Sequence, residues 1–142
     1  MEITSQTNPT GLSGSQDPRL EANKQTVLAF YEVGLNQRDF EAATKLIGPR
    51  YVQHNPLIPD GIEGFKAFLG YLAETFPLLR AEVKNVFAEG DFVIGHVHGV
   101  RVPGQRGSAI VDIFKLEDGK IVEHWDVMQP IPEDAANQNG MF

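Results

Sequence analysis

At Pro77 the spacing of the apolar residues changes, and no single-class fold accommodates both sides of that point. Upstream, apolar side chains recur every three to four residues, which is helical spacing. Behind Asp17-Pro18, a capping Asp followed by Pro at the first helical position, Val27, Phe30, Tyr31, Val33 and Gly34 share one face, and the helix should end around Asn36. A shorter helix follows Asp39 with Phe40, Ala43, Leu46 and Ile47 on one side, and Gly48-Pro49 stops it. The prolines at 56 and 59 hold Tyr51-Val52-Gln53-His54-Asn55-Pro56 extended. Asp60-Gly61-Ile62-Glu63 then reads as a capping box ahead of a third helix carrying Phe65, Phe68, Leu69, Leu72 and Phe76. Downstream, the period is two. Four strands are expected near 80–89, 91–102, 107–117 and 120–129, separated by Glu89-Gly90-Asp91, by the run from Pro103 to Gly107, and by Asp118-Gly119, a strong hairpin signal.

Helices followed by an antiparallel meander give an α+β layout: three N-terminal helices packed on a curved, mainly antiparallel sheet, a cone with an internal pocket. With 142 residues there is material for one core. The expected organisation is a polar N-terminal arm over 1–17, the cone-shaped domain over 18–130 and a C-terminal tail over 131–142. A net charge of −7 with no Lys/Arg cluster argues against nucleic acid as a partner. The absence of Cys removes disulfides, thiolate nucleophiles and Cys-based metal sites, and fits a reducing compartment. No run approaches eighteen apolar residues, and the arm lacks the basic-then-apolar order of a signal peptide. A cytoplasmic protein with no membrane partner is the resulting expectation.

One residue breaks the apolar pattern. Asp112 sits in Ile110-Val111-Asp112-Ile113-Phe114, a strand apolar on both sides, and burying a carboxylate costs several kcal/mol unless it is paired or protonated. Antiparallel pairing across the turn at 103–107 can bring His98 or His96 to it, making an acid/base pair in an apolar cavity. A plain structural hydrogen bond to Asp112 explains the same pattern. His96 and His98, two residues apart on one strand face, also offer a weak metal pattern that Asp112 or His54 would complete. Pocket-lining donors are the preferred reading, and no metal is expected. His54, before Asn55-Pro56, can reach the cavity mouth or stay on a surface loop. His124 and Trp125 point to opposite faces of the last strand, and the large, donor-bearing Trp125 is assigned to the cavity wall, with His124 outward. Phe68, Leu72 and Phe114 are the apolar residues expected to border the ligand. Serine-nucleophile, dinucleotide and phosphate-loop motifs are missing.

Two stretches carry a resemblance. Val111-Asp112-Ile113-Phe114-Lys115-Leu116 with Asp118-Gly119-Lys120-Ile121-Val122-Glu123-His124-Trp125-Asp126-Val127, and Tyr51-Val52-Gln53-His54-Asn55-Pro56 upstream, resemble the SnoaL-like polyketide cyclase family of the nuclear transport factor 2-like (cystatin-like) superfamily. The resemblance spans roughly residues 20 to 130. It implies the cone-shaped α+β fold, ring closure by intramolecular aldol condensation without metal or organic cofactor, and a homodimer formed through the outer sheet face. It also implies that Asp112 is the acid/base, His98 its partner, and His96 and His54 polar cavity residues. The Asp-Arg-Asp arrangement of limonene-type epoxide hydrolases is not matched, since Val127 stands near the place of the second Asp.

The expected function is therefore proton transfer on a carbonyl-bearing apolar small molecule, with Asp112 removing a proton alpha to the carbonyl and His98 orienting it or supporting the enolate. The alternatives are a binding protein with the same pocket and no chemistry, and a hydrolase or dehydratase of the same superfamily.

Overall fold

The computed structural model describes residues 17–142. The expected arm, but for Asp17, lies outside the described residues. Helix α1 (Pro18–Ala29) starts where expected, with the Asp17 side chain accepting from the Arg19 amide. It does not stay α-helical to Asn36. From Phe30 to Asn36 it widens into a π-helical turn, in which the Gln37 amide reaches back five residues to Glu32. Such widenings often mark functional positions, because they re-aim side chains that a regular helix would stack.

Helix α2 is short (Phe40–Thr44) and Ile47 is not part of it: strand β1 runs Ile47–Gln53, with Gly48-Pro49 inside it. A proline is tolerated there because β1 is an edge strand, and its register against its neighbour shifts between Ile47 and Val52. Helix α3 (Gly61–Thr75) follows. Its expected capping box does not form. The Asp60 carboxylate instead accepts from the amides of Gln53, at 2.9 Å, and Gly61, which hold it below the usual carboxylate range and tie the start of α3 to the end of β1.

Strands β2 (Arg80–Glu89), β3 (Phe92–Val100), β4 (Ser108–Glu117) and β5 (Lys120–Pro130) form the expected meander. The sheet order is β1-β5-β4-β3-β2, antiparallel except for β1, which pairs parallel to β5. Asp118 and Gly119 both have positive φ, as the two-residue hairpin between β4 and β5 requires. The helices cover one face of the sheet. Val27 and Tyr31 from the first helix and Phe65 and Leu69 from α3 meet Val97 and Phe114 from the strands in a single core. No helix among the described residues is long and apolar enough to cross a membrane.

Candidate functional site

Strand register decides which side chains reach the space between sheet and helices. Across β3 and β4, Gly95 lies opposite Asp112 and Val97 opposite Ile110. Directly opposed residues share a face, so Asp112 belongs with Gly95 and Val97, while His96 and His98 turn to the other side. Across β4 and β5, Asp112 faces Asp126 and Phe114 faces His124. Continuing the tight Asp118-Gly119 hairpin without interruption would have put Trp125 opposite Asp112. A bulge intervenes: Lys115 pairs with Glu123 but Leu116 with Ile121, leaving Val122 as the extra residue. That one-residue offset brings His124 and Asp126 inward and sends Trp125 out.

The inward residues line a cavity of about 390 Å³. Its helical wall is apolar and includes Phe65, Phe68, Leu69 and Leu72; its polar wall is built from Tyr31, Tyr51, Gln53, Asp112, His124 and Asp126. Asp112 is 7% exposed and is held from two sides. The Tyr31 hydroxyl donates to Oδ2 at 2.7 Å, and His124 Nε2 lies 2.8 Å from Oδ1. Tyr31 can approach because residue 95 is glycine: a Cβ there would sit 2.7 Å from its hydroxyl oxygen. Among the described residues no buried side-chain nitrogen or oxygen lacks a partner, so the burial of these polar groups is compensated.

The hydrogen-bond chain counts the protons in the pair. The Asn55 amide donates to Gln53 Oε1 at 2.9 Å, and because a backbone N–H can only donate, that atom is an acceptor. His124 Nδ1 lies 2.8 Å from the same oxygen and so carries a hydrogen. The contact between Nε2 and Asp112 Oδ1 then needs a proton of its own, since two lone pairs make no hydrogen bond. The pair is an imidazolium beside a carboxylate or a neutral imidazole beside a carboxylic acid. Its net charge is zero either way, and moving one proton interconverts the two. Asp126 lies 4.0 Å from Nε2 and accepts from Asn55 Nδ2 at 2.8 and 3.0 Å. Burial first, and the Asp112 charge second, push the Tyr31 and Tyr51 phenols well above their ordinary range, so both stay protonated as donors. The Tyr51 oxygen accepts from Gln53 Nε2 at 3.1 Å, and among the described residues its own hydrogen meets no acceptor.

The structure separates the residues that the sequence grouped. Asp112, Phe68 and Leu72 border the cavity. Phe114 does not. It lies behind the polar wall, 1% exposed, its ring 5.0 Å from that of His124 and 5.8 Å from that of Tyr31, and it props both. His98 is not the partner of Asp112: on the outer face its Nε2 donates to the Arg106 carbonyl at 2.7 Å. The rings of His96 and His98 instead pack on Phe142, at 5.1 and 4.9 Å. His54 stacks on Trp125 at 4.7 Å, nearly parallel, and pairs with Glu123 at 2.7 Å, so neither His54 nor Trp125 enters the cavity. A metal set drawn from His54, His96 and His98 with Asp112 therefore cannot assemble. Among the described residues, those that do offer three ligand atoms within 4.8 Å of one another are Asp112, His124 and Asp126, all engaged in the hydrogen bonds above.

Sequence reasoning missed Tyr31, Tyr51, Gln53, Asn55, His124 and Asp126. The sequence did carry a signal for three of them: Tyr51-x-Gln53-x-Asn55 places polar side chains at alternate positions of one extended segment, hence on one face.

Solved structures show the same architecture. TsrD from Streptomyces laurentii is 26% identical with a TM-score of 0.65, covering 76% of this chain and 88% of its own. AclR from Streptomyces galilaeus, a candidate hydroxylase, is 25% identical with a TM-score of 0.66, covering 78% of this chain and 81% of its own. A candidate polyketide cyclase from Acidithiobacillus ferrooxidans, at 21% identity and a TM-score of 0.65, covers 75% of this chain and 87% of its own, a likeness of fold. No match was found among curated proteins. The sequence profile of the SnoaL-like domain matches residues 27–124. That span is well over half of the chain and contains Tyr31, Gln53, Asp112 and His124, so this protein belongs to the SnoaL-like domain family.

Proposed function

We propose that this chain is an enzyme that moves a proton on a carbonyl-bearing, largely apolar small molecule, with Asp112 as the acid/base and His124, in place of His98, as its partner. One observation supports this above the others: the Asp112 carboxyl group on the wall of an apolar cavity lies 2.8 Å from the His124 imidazole nitrogen and is steadied by the Tyr31 hydroxyl. In the ion-pair form Asp112 takes a proton from the carbon next to the substrate carbonyl. The electrons of the broken C–H bond pass to the carbonyl oxygen as an enolate, and the Tyr51 hydroxyl is free to donate to that oxygen. The enolate carbon then attacks a second carbonyl of the same molecule, the C–C bond forming as that C=O π bond breaks, and Asp112 returns its proton to the new alkoxide oxygen, closing a ring in the aldol manner. Where the substrate is a β,γ-unsaturated ketone, the dienolate instead takes the proton back from Asp112 at its γ carbon. The chemistry asks for no redox partner.

Exchange of the alpha hydrogens of 1-tetralone for deuterium, followed by mass spectrometry, tests the proton step without the natural substrate. The protein should accelerate exchange above buffer, and Asp112→Asn should remove the acceleration. Full acceleration in Asp112→Asn would refute the role. Binding of the ketone with no acceleration in the unaltered protein would mark the chain as a binder instead.

The same reading includes a homodimer across the outer sheet face, where Phe92, Ile94, Val111 and Val127 are between 37% and 69% exposed. Val111→Lys with Val127→Lys should convert a dimer to monomer in sedimentation. A monomeric unaltered protein would remove this part of the proposal.

A further inference from the structure

Gln53 sits on the polar wall, touches two of the reacting groups and takes no part in the proton transfer itself. It ends strand β1, and its backbone is pinned from two sides. Its amide donates to Asp60 Oδ1 at 2.9 Å. It also stands opposite His124 in the parallel pairing of β1 with β5, where the next amide, that of His54, donates to the His124 carbonyl at 3.0 Å. Its side chain turns inward with that of Tyr51, two residues earlier, and both line the cavity. The Asn55 N–H, at 2.9 Å, decides which end of the Gln53 carboxamide is oxygen, since only Oε1 can accept there. The two ends of the amide then do opposite things. Oε1 also accepts from His124 Nδ1 at 2.8 Å, and Nε2 donates to the Tyr51 oxygen at 3.1 Å.

His124 and Tyr51 can each donate or accept at the atom that meets Gln53. A neutral imidazole carries its hydrogen on either nitrogen, and the hydrogen bond made by one nitrogen settles the state of the other. Facing Asp112 alone, the ring would keep its single hydrogen on Nε2. The Gln53 oxygen draws a hydrogen to Nδ1, so the one between Nε2 and Asp112 is additional and available for transfer. At Tyr51 the Gln53 N–H occupies one side of the phenol oxygen, so the hydroxyl hydrogen turns away from it, while a T-shaped contact with the Phe65 ring at 5.5 Å holds the Tyr51 ring. An amide does not titrate, so neither constraint changes with pH.

We infer that Gln53 is a positioning residue: its carboxamide, oriented by the Asn55 amide, holds a hydrogen on His124 Nδ1 and turns the Tyr51 hydroxyl hydrogen into the cavity. Its consequence for catalysis rests on the proposed proton transfer.

Two substitutions separate the two ends of the amide. Gln53→Glu keeps an acceptor for the Asn55 and His124 N–H groups but replaces the donor by an oxygen that captures the Tyr51 hydrogen. Gln53→Met keeps the length and removes both. Nitrogen-15 NMR of labelled histidine, with His124 identified by its loss in His124→Gln, reads the ring at about pH 8, above the ordinary imidazole range. The Nδ1 hydrogen should be present in the unaltered protein and in Gln53→Glu, and the single ring hydrogen should sit on Nε2 in Gln53→Met. In the 1-tetralone assay Gln53→Glu should lose about tenfold or more of the acceleration at saturating ketone, as for a removed oxyanion donor, with half-saturation changed by less than about twofold. In the Tyr51→Phe background the same substitution should cost less than about threefold, because its target is already gone. The ring signal needs no turnover: if the unaltered protein accelerates no exchange, the proposed function falls and the ring signal alone decides the role of Gln53. An Nδ1 hydrogen retained in Gln53→Met, or undiminished exchange in Gln53→Glu, would overturn the inference.

Discussion

Replacing Tyr31 by Phe removes one oxygen atom and little else, which makes it the most direct probe of how Asp112 is held. The ring stays in place among Phe30 and Phe114, with centroids at 5.6 and 5.8 Å. The loss is the 2.7 Å hydrogen bond to Asp112 Oδ2. A bond to a charged acceptor contributes about 1.5 to 3 kcal/mol, and one to a neutral acid about half that. Asp112 is only 7% exposed, so solvent screening is weak, but it borders a cavity wide enough for water to replace part of the lost donor. The expected cost is therefore near the lower bound, about 1.5 to 2 kcal/mol. At a urea dependence of about 1.5 to 2 kcal/mol per molar, the unfolding midpoint should fall by about 1 M with unchanged slope. Combining Tyr31→Phe with Asp112→Asn closes a double-mutant cycle, and the coupling should be at least about 1 kcal/mol, because each group is the partner the other loses. A Tyr31→Phe protein within about 0.5 kcal/mol of the parent, or a cycle with no coupling, would refute the claim that this hydroxyl compensates a buried carboxylate.

Three further outcomes follow from the same geometry. Gly95→Ala sets a Cβ 2.7 Å from the Tyr31 hydroxyl oxygen and should cost about 1 to 3 kcal/mol by denaturation; much of that should vanish in the Tyr31→Phe background, and equal costs in both backgrounds would contradict the close approach. Because the folded-state pKa values of Tyr31 and Tyr51 are raised, the stability they carry is present below the ordinary phenol pKa of about 10 and is lost as pH rises above it. Two of the three tyrosines should then ionise, by phenolate absorbance, only together with loss of circular dichroism, and reversible ionisation of all three in a folded chain would be the opposing result. His98→Ala should leave alpha-proton exchange unchanged while His124→Gln abolishes it; the reverse ranking would return His98 to the site.

Much of this molecule is legible in its amino acids. Spacing by three to four before Pro77 and by two after it specifies helices then strands, Asp118-Gly119 specifies the last hairpin, and the isolated charge of Asp112 among Ile, Val and Phe marks the one position where burial needs an explanation. Apolar residues at helical spacing also place Phe68 and Leu72 on the face of α3 that borders the cavity. The partners of Asp112 are another matter. In β3 both faces are apolar, Phe92 and Ile94 on one side and Val93 and Val97 on the other, so alternation cannot say which side turns inward. Side chains repeat with period two, and an offset of one residue exchanges the faces completely. The bulge at Val122 supplies such an offset in β5, putting His124 inside and Trp125 outside, and the turn at 103–107 sets the parity that turns His96 and His98 away. The π-helical turn at Phe30–Asn36 carries Tyr31, which reaches Asp112 across the space left by Gly95. Local pattern thus determined the elements and the one carboxyl group that had to be compensated. Only the three-dimensional pairing of strands, where a single residue of register reverses a whole face, decided which side chains compensate it.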